Sequence, residues 1–461
     1  MSTNITIHKP DDASAQLPPP PPYSREPRTS DAGTYGNINE EQVRLLGNTP
    51  PISKQHNNNH GFSGIPYAYH TNAQTEEPVE HTSHRRHPRW CAFIFVVILV
   101  TSVIYTFKAK PIRGGRCSGL LPWEKFPETI EFERNINITL DGRVSSGQLT
   151  IIPVESGGMI KGTIETTPDL QENISLDIDD NGSITTVLFK TPKLAHNCIR
   201  VNMDIYLPYN ARESFITFNN VDIKVEPLVQ DLKKLYIKNA NGDITLNNWT
   251  GKSLQISNAN GIVSVAEQLR GDDLISIKNK NGPIDLMDVE ANGNMYLTTS
   301  NNRIQVLGSL QVDDQVHIQS ANGPIQLSGR IVSNRFNVET ANGNIQVLDE
   351  IVAKEKVILR TSNGHIVANI AGEKNNNVFV ASSNGWIDLH MTNEFEGKIT
   401  FTTSGSGKIH VAEDEQVHYV ENNNYIKRGY RHKPDDKGDL TVMTSNGGIK
   451  VAFDIDSTSN E

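Results

Sequence analysis

Carboxylates, histidines and cysteines are the groups through which this 461-residue sequence could do chemistry, and their spacing decides how much. Hydrolysis of a glycoside takes two carboxyl groups about 5–9.5 Å apart, and a calcium site takes oxygens about 2.3–2.6 Å from one ion. The acids that recur in phase are Asp285 and Asp388, and the pairs Asp272-Asp273 and Asp313-Asp314. Seven of the 14 histidines lie in the first 89 residues, among them His56, His60, His81, His84 and His87, where nothing fixes a ligand geometry. No nucleophile motif, phosphate-binding glycine loop or Cys/His metal spacing occurs in the sequence. An enzyme is therefore not expected, and no catalytic residue, metal ligand or cofactor is assigned.

The remaining chemical signals concern attachment and trafficking. Asn137, Asn173, Asn181 and Asn248 each open an Asn-X-Ser/Thr sequon, the acceptor for N-glycosylation. Cys117 and Cys198 are a candidate disulfide pair in an oxidising compartment, while Cys91 sits inside an apolar run. Leu17 to Tyr23 (LPPPPPY) makes a polyproline II rod ending in Pro20, Pro21, Pro22 and Tyr23. That ending is similar to the PPxY ligand of WW domains, in which a pre-extended rod docks on an aromatic groove at low entropic cost. The likeness implies a WW-domain protein as partner of this segment.

The elements that must position such groups are legible from period. From about residue 235 a twelve-residue phrase recurs, as in LQISNANGIVSV from Leu254, VHIQSANGPIQL from Val316 and FNVETANGNIQV from Phe336. Apolar residues alternate in period two on both sides of an Asn-Gly pair, which is strand, turn, strand. The turn falls at Asn241, Asn260, Asn281, Asn301, Asn322, Asn342, Asn363, Asn384, near Gly405, and at Asn446. Steps of about 20 residues suit one solenoid coil each, about ten in all, with a final gap occupied by an irregular loop at 412–438.

Stacking coils puts like side chains in columns. The inward columns expected are Leu254, Leu297, Ile318, Val338, Leu359 and Val380 before the turn, and Ile284, Ile304, Ile325, Ile345, Ile366, Ile387 and Ile409 after it. A third apolar site (Leu269, Val289, Leu310, Ile331, Ile351) suggests three short faces per coil. Turn asparagines one coil apart can form an amide ladder, the following glycine is expected at positive φ, and the small polar residues two before the turn are expected to ladder similarly. The stacking also tests the acids: Asp285 and Asp388 fall five coils, ~24 Å, apart, too far to cooperate. Outward, Gln305, Gln326 and Gln346 share one register while Tyr296, His317 and Phe379 decorate another, which together make a candidate contact surface.

The phrases SANGPIQL, TANGNIQV, TSNGHIVA, SSNGWIDL and TSNGGIKV, with the lead-in MDIYLPYNARESFITF, resemble the adhesin-like family of β-helical (β-solenoid) domains over roughly residues 130–455. The family is known mainly from bacteria and also occurs in fungi, and the resemblance here is to a fungal-type, membrane-anchored member. It implies an all-β, right-handed parallel β-helix and a surface interaction role, with no catalytic residues to carry over.

Around this domain, residues 90–107 (WCAFIFVVILVTSVIYTF) form an uncharged apolar run long enough to span a membrane as a helix of about 27 Å. Residues 1–89 hold twelve of the 23 prolines and few aliphatics, the composition of a disordered tail. Residues 108–127 read as a stalk, 128–230 as a β-rich amino-terminal cap, 231–455 as the repeat, and 456–461 as a disordered end. Net charge of −10 and a pI near 5.8 argue against nucleic acid. The expectation is a single-pass type II protein of the plasma membrane or another secretory-pathway membrane, its carboxy-terminal domain extracellular or lumenal, binding a glycan or protein ligand. The alternatives are a carbohydrate-active β-helical enzyme, or a rigid spacer with signalling through the tail.

Overall fold

Strand-forming alternation interrupted every ~20 residues by tight turns leaves the chain one economical way to bury its apolar residues, which is to coil and stack. The computed structural model describes residues 117–193, 198–372 and 374–455. The expected tail with Pro20, Pro21, Pro22 and Tyr23, the span at 90–107, the first part of the stalk and the segment 456–461 lie outside the described residues. Among the described residues the structure is nearly all strand, with one 3-10 segment, Pro168–Asn173. No helix among them is long and apolar enough to cross a membrane.

The strands form a β-solenoid of parallel ladders. Each regular coil contributes a strand before the turn (Leu310–Ser320, then Ile331–Thr340), whose bulge splits it over two faces, and a short strand after it (Ile325–Leu327). The three inward columns expected lie in the interior, beside further buried columns such as Met295, Val316, Phe336 and Val357, and Val306, Leu327 and Val347. Ile284, Ile304, Ile325, Ile345, Ile366 and Ile387 stand in register after the turn and are buried. Leu297, Ile318, Val338, Leu359 and Val380 do the same before it. Leu254, expected in that column, aligns instead with Ile275, Met295 and Val316, and Ile256 holds the position in line with Leu297. Leu269, Val289, Leu310, Ile331 and Ile351 form the third column.

The turn chemistry departs from the expectation in two ways. Positive φ occurs at Gly242 and Gly261, and at Gly405 where glycine takes the place of the turn asparagine, but the glycines that follow the later turn asparagines adopt ordinary φ. They are needed for close approach, since a Cβ on Gly385 would overlap the carbonyl oxygen of Gly364 one coil away. The buried hydroxyls two before the turn do not ladder with one another. Thr361 Oγ1 accepts the N–H of its own Gly364 (3.0 Å) and donates to the carbonyl of Gly343 in the preceding coil (2.9 Å). Ser382 and Thr444 repeat the bridge. A side-chain hydroxyl thus satisfies two buried backbone groups that the tight corner would otherwise leave unpaired.

The order of coils in space differs from their order in the chain at both ends. At the carboxy-terminal end the irregular segment is no expelled loop: Val417–Asn422 and Ile426–Arg431 form an antiparallel hairpin laid on Gly397–Thr403. The chain then returns, and Gly438–Thr444 inserts between Asn377–Ser382 and Gly397–Thr403, parallel to both. Ile449–Ile455 likewise inserts between Ile387–Thr392 and Ile409–Val411. The coil of Asn446 is therefore stacked directly on that of Asn384, and the coil of Gly405 lies beyond it.

The amino-terminal end uses the same device. Ile136–Asp141 lies between Thr185–Lys190 and Glu213–Phe218, and Ser146–Val154 between Ile199–Pro208 and Asp222–Val225, all parallel. Antiparallel strands Gly158–Thr166 and Ser175–Asp180 close the outside. Residues 117–127, read from sequence as stalk, pack here, with the Trp123 side chain buried and its backbone N–H donating to the carbonyl of Ile164 (2.7 Å). Cys117 and Cys198 are joined by a disulfide.

Candidate functional site

One corner of the solenoid carries a continuous row of exposed amides. Asn260 Nδ2 donates to Asn241 Oδ1 (2.6 Å), and the relay continues through Asn281, Asn301, Asn322, Asn342, Asn363 and Asn384 at 2.6–2.8 Å. Asn446 closes it by donating to Asn384 Oδ1 (2.7 Å), although 62 residues separate them. At the other end Asn241 donates to Asn220, a rung that sequence reading missed because Asn220-Val221 lacks the glycine. Each amide along the row spends one N–H and one lone pair on its neighbours, and Asn260 and Asn322 also donate to the carbonyls of Ala240 (3.3 Å) and Ser300 (3.2 Å). A second lone pair on each rung, and a second N–H on the others, recur at a spacing of ~4.8 Å.

The residues that flank this corner follow from the strand alternation. Gln305, Gln326 and Gln346 align in consecutive coils after the turn. Tyr296 and His317 align before it, with ring centroids 6.2 Å apart, and Asn337 Nδ2 lies 3.0 Å from His317 Nδ1. Phe379 continues that column two coils past Asn337 and carries the Arg360 guanidinium 4.8 Å from its ring. The glutamines and the rings thus occupy two separate registers, one on either side of the asparagine corner.

A further pair escaped the sequence reading. Trp386, 42% exposed, stacks on His365 with ring centroids 4.9 Å apart, and its backbone N–H donates to His365 Nδ1 (3.1 Å). Both follow the turn glycine, at Asn363-Gly-His and Asn384-Gly-Trp, so they project beside the ladder rungs Asn363 and Asn384. The available signal was that the residue after each Asn-Gly must face outward.

The other candidates are dispersed. Asp285 and Asp388 share a column five coils apart, and each is paired: Asp285 with Arg303 through two hydrogen bonds, Asp388 with Lys450 at 3.2 Å. The bonds from Asp285 hold the Arg303 guanidinium above its usual range. Asn173 and Asn181 are exposed, while Asn137 and Asn248 are half-buried in or beside strands. Among the described residues Glu396, His432 and Asp436 bring metal-ligating atoms within 4.8 Å of one another. They are already satisfied, Glu396 by Lys374 (3.1 Å) and Asp436 by His432 (3.1 Å) and the N–H of Lys433.

The family model described as Toastrack DUF4097 matches residues 161–452. Among solved structures the chain is similar to a candidate cell adhesion protein from Clostridium sporogenes, 9% identical, covering 71% of this chain and 100% of the other at a TM-score of 0.18. It is also similar to a candidate lipid binding protein from Parabacteroides distasonis (12% identical, 71% and 97% covered, TM-score 0.29) and a candidate adhesin from Bacteroides fragilis (11%, 70% and 95%, 0.23). No curated protein sequence matches it.

Proposed function

We propose that this chain, which belongs to the Toastrack DUF4097 family, works as an adhesin-like interaction module whose contact surface is the asparagine corner and the rings beside it. The observation that carries this reading is Trp386, an exposed indole stacked on His365 next to a regular row of amides. An aromatic face beside repeated donors and acceptors suits an extended polyhydroxylated chain, a glycan, held by many weak contacts. The role is binding and not turnover, since the in-phase carboxylates are too far apart to act on one bond. In the same reading the 90–107 segment anchors the chain as a fungal-type, single-pass type II protein with the solenoid outside or lumenal. The Cys117–Cys198 bridge and the exposed sequons Asn173 and Asn181 support that side of the membrane.

A glycan array probed with the full chain tests the binding. Trp386→Ala should weaken the captured glycans about ten-fold, the equivalent of ~1.4 kcal/mol, with an unchanged melting temperature. Equal binding by the variant, or release of shortened glycan by the intact chain, would remove the reading. Glycosidase treatment of the protein in membranes tests the topology: a mobility shift places the solenoid outside or in the lumen, and an unglycosylated, protease-accessible solenoid overturns that placement.

A further inference from the structure

The carboxy-terminal coil sits in a slot that the rest of the chain builds without it. After Ile387–Thr392 the backbone climbs two coil heights, ~10 Å, to begin Gly397–Thr403, because one level is reserved for residues that come 41 positions later. Until Gly438–Ile455 arrives, the coils on either side of that level expose strand edges with no hydrogen-bond partner, the arrangement most prone to accept a strand from elsewhere. The segment that fills it is matched on both sides: Leu440 stands in the buried column of Val378, Val442 in that of Val380, Val451 in that of Leu389, and Asn446 completes the amide ladder.

The backbone connection from the hairpin to the segment is residues 432–437, which are mostly exposed, and the Arg431 guanidinium of the hairpin lies 5.1 Å from the ring of Phe453 in the segment. His432 opens this connection at a φ of +75°, in the left-handed region that few residues other than glycine occupy. Straightening the connection removes that strain and carries the segment away from its own slot. A second copy of the chain offers an identical slot, so the hydrogen bonds and apolar packing broken in one molecule are re-formed in the other. No other occupant on these grounds has the register to complete both the columns and the ladder.

We infer that Gly438–Ile455 is an exchangeable strand donor, and that two copies of this chain associate by each placing this coil in the slot of the other. The inference stands apart from glycan binding, since it uses neither Trp386 nor the outward face of the ladder.

Thr441 and Thr400 are register partners across the slot, both outward-facing, and Cys91 is replaced by Ser throughout to leave no other free thiol. Full-length Thr400→Cys chain is mixed with full-length Thr441→Cys chain and oxidised, with a chain carrying both substitutions as the control for bond geometry. Exchange predicts a disulfide-linked heterodimer about ten-fold above that formed by Gln255→Cys with Thr441→Cys, a pair the exchange does not bring together. Bond formation within the doubly substituted chain but none between mixed chains would overturn the inference. A second variant is independent of thiol geometry. Arg431 and Gly438 both pair with Gly397, and so lie two strand spacings or ~9.6 Å apart. Deleting Lys433–Lys437 leaves one residue, ~7 Å of chain, too short to return to its own slot, and should convert the protein to a dimer of unchanged strand content. A folded monomer, or loss of the carboxy-terminal coil's protection without dimerisation, would equally overturn it.

Discussion

Thr361 and Asn363 sit two residues apart and illustrate what a side chain contributes at this corner. Asn363 makes two amide hydrogen bonds, but on the exposed side, where water substitutes for a missing partner. Thr361 is buried, and its hydroxyl serves two backbone groups that water does not reach. Asn363→Ala should therefore cost about 1 kcal/mol and Thr361→Val about 2–4 kcal/mol, with Thr361→Ser close to the parent. Urea melts of the three variants check the order, and an Asn363→Ala loss larger than that of Thr361→Val would contradict it.

Among elements, the hairpin Val417–Asn422 and Ile426–Arg431 depends on one side chain. Arg431 is 2% exposed, yet its guanidinium donates to Asp414 Oδ2 and to the carbonyls of Asn393 and Phe395, each at 2.7 Å, and lies 5.1 Å from the Phe453 ring. It ties the hairpin, the crossover, the 412–416 link and the inserted coil together. Arg431→Met fills the volume but leaves a half-buried carboxylate and two carbonyls unpaired, a loss of about 3–5 kcal/mol. The loss should be local. Limited proteolysis should cut first within 412–437 in the variant, whereas cleavage spread evenly over the solenoid would assign Arg431 no special role.

At the scale of the whole molecule, a solenoid's coils contact only their neighbours, so stability is a sum along the stack and fraying starts from the ends. Both ends here avoid fraying in one way: a chain-terminal coil is bonded on both faces, and antiparallel strands close the outside. The Cys117–Cys198 bridge adds a covalent tie across 81 residues at the amino-terminal end. Loop closure of that length stabilises by ~4–5 kcal/mol in the chain-entropy account. Reduction should accordingly raise hydrogen exchange over 117–208 while coils beyond Trp249 keep their protection. Uniform loss of protection would show the domain to be a single cooperative unit.

What the sequence by itself determined is whatever repeats. Alternation in period two, one Asn-Gly per ~20 residues and aliphatic columns dictate parallel coils, because only stacking gives every such residue the same environment. The amide ladder was legible for the same reason, rung by rung from Asn241 to Asn384. Tertiary structure decided what breaks the repeat. Whether Asn446 follows Gly405 or Asn384 depends on which strand edges remain open, and chain order is silent on that. The role of the turn glycines was decided there too: a φ is a local property, but the carbonyl that forbids a Cβ on Gly385 belongs to another coil. Trp386 and His365 are 21 residues apart in the chain and stacked in space. Their partnership exists only once one coil lies on the next.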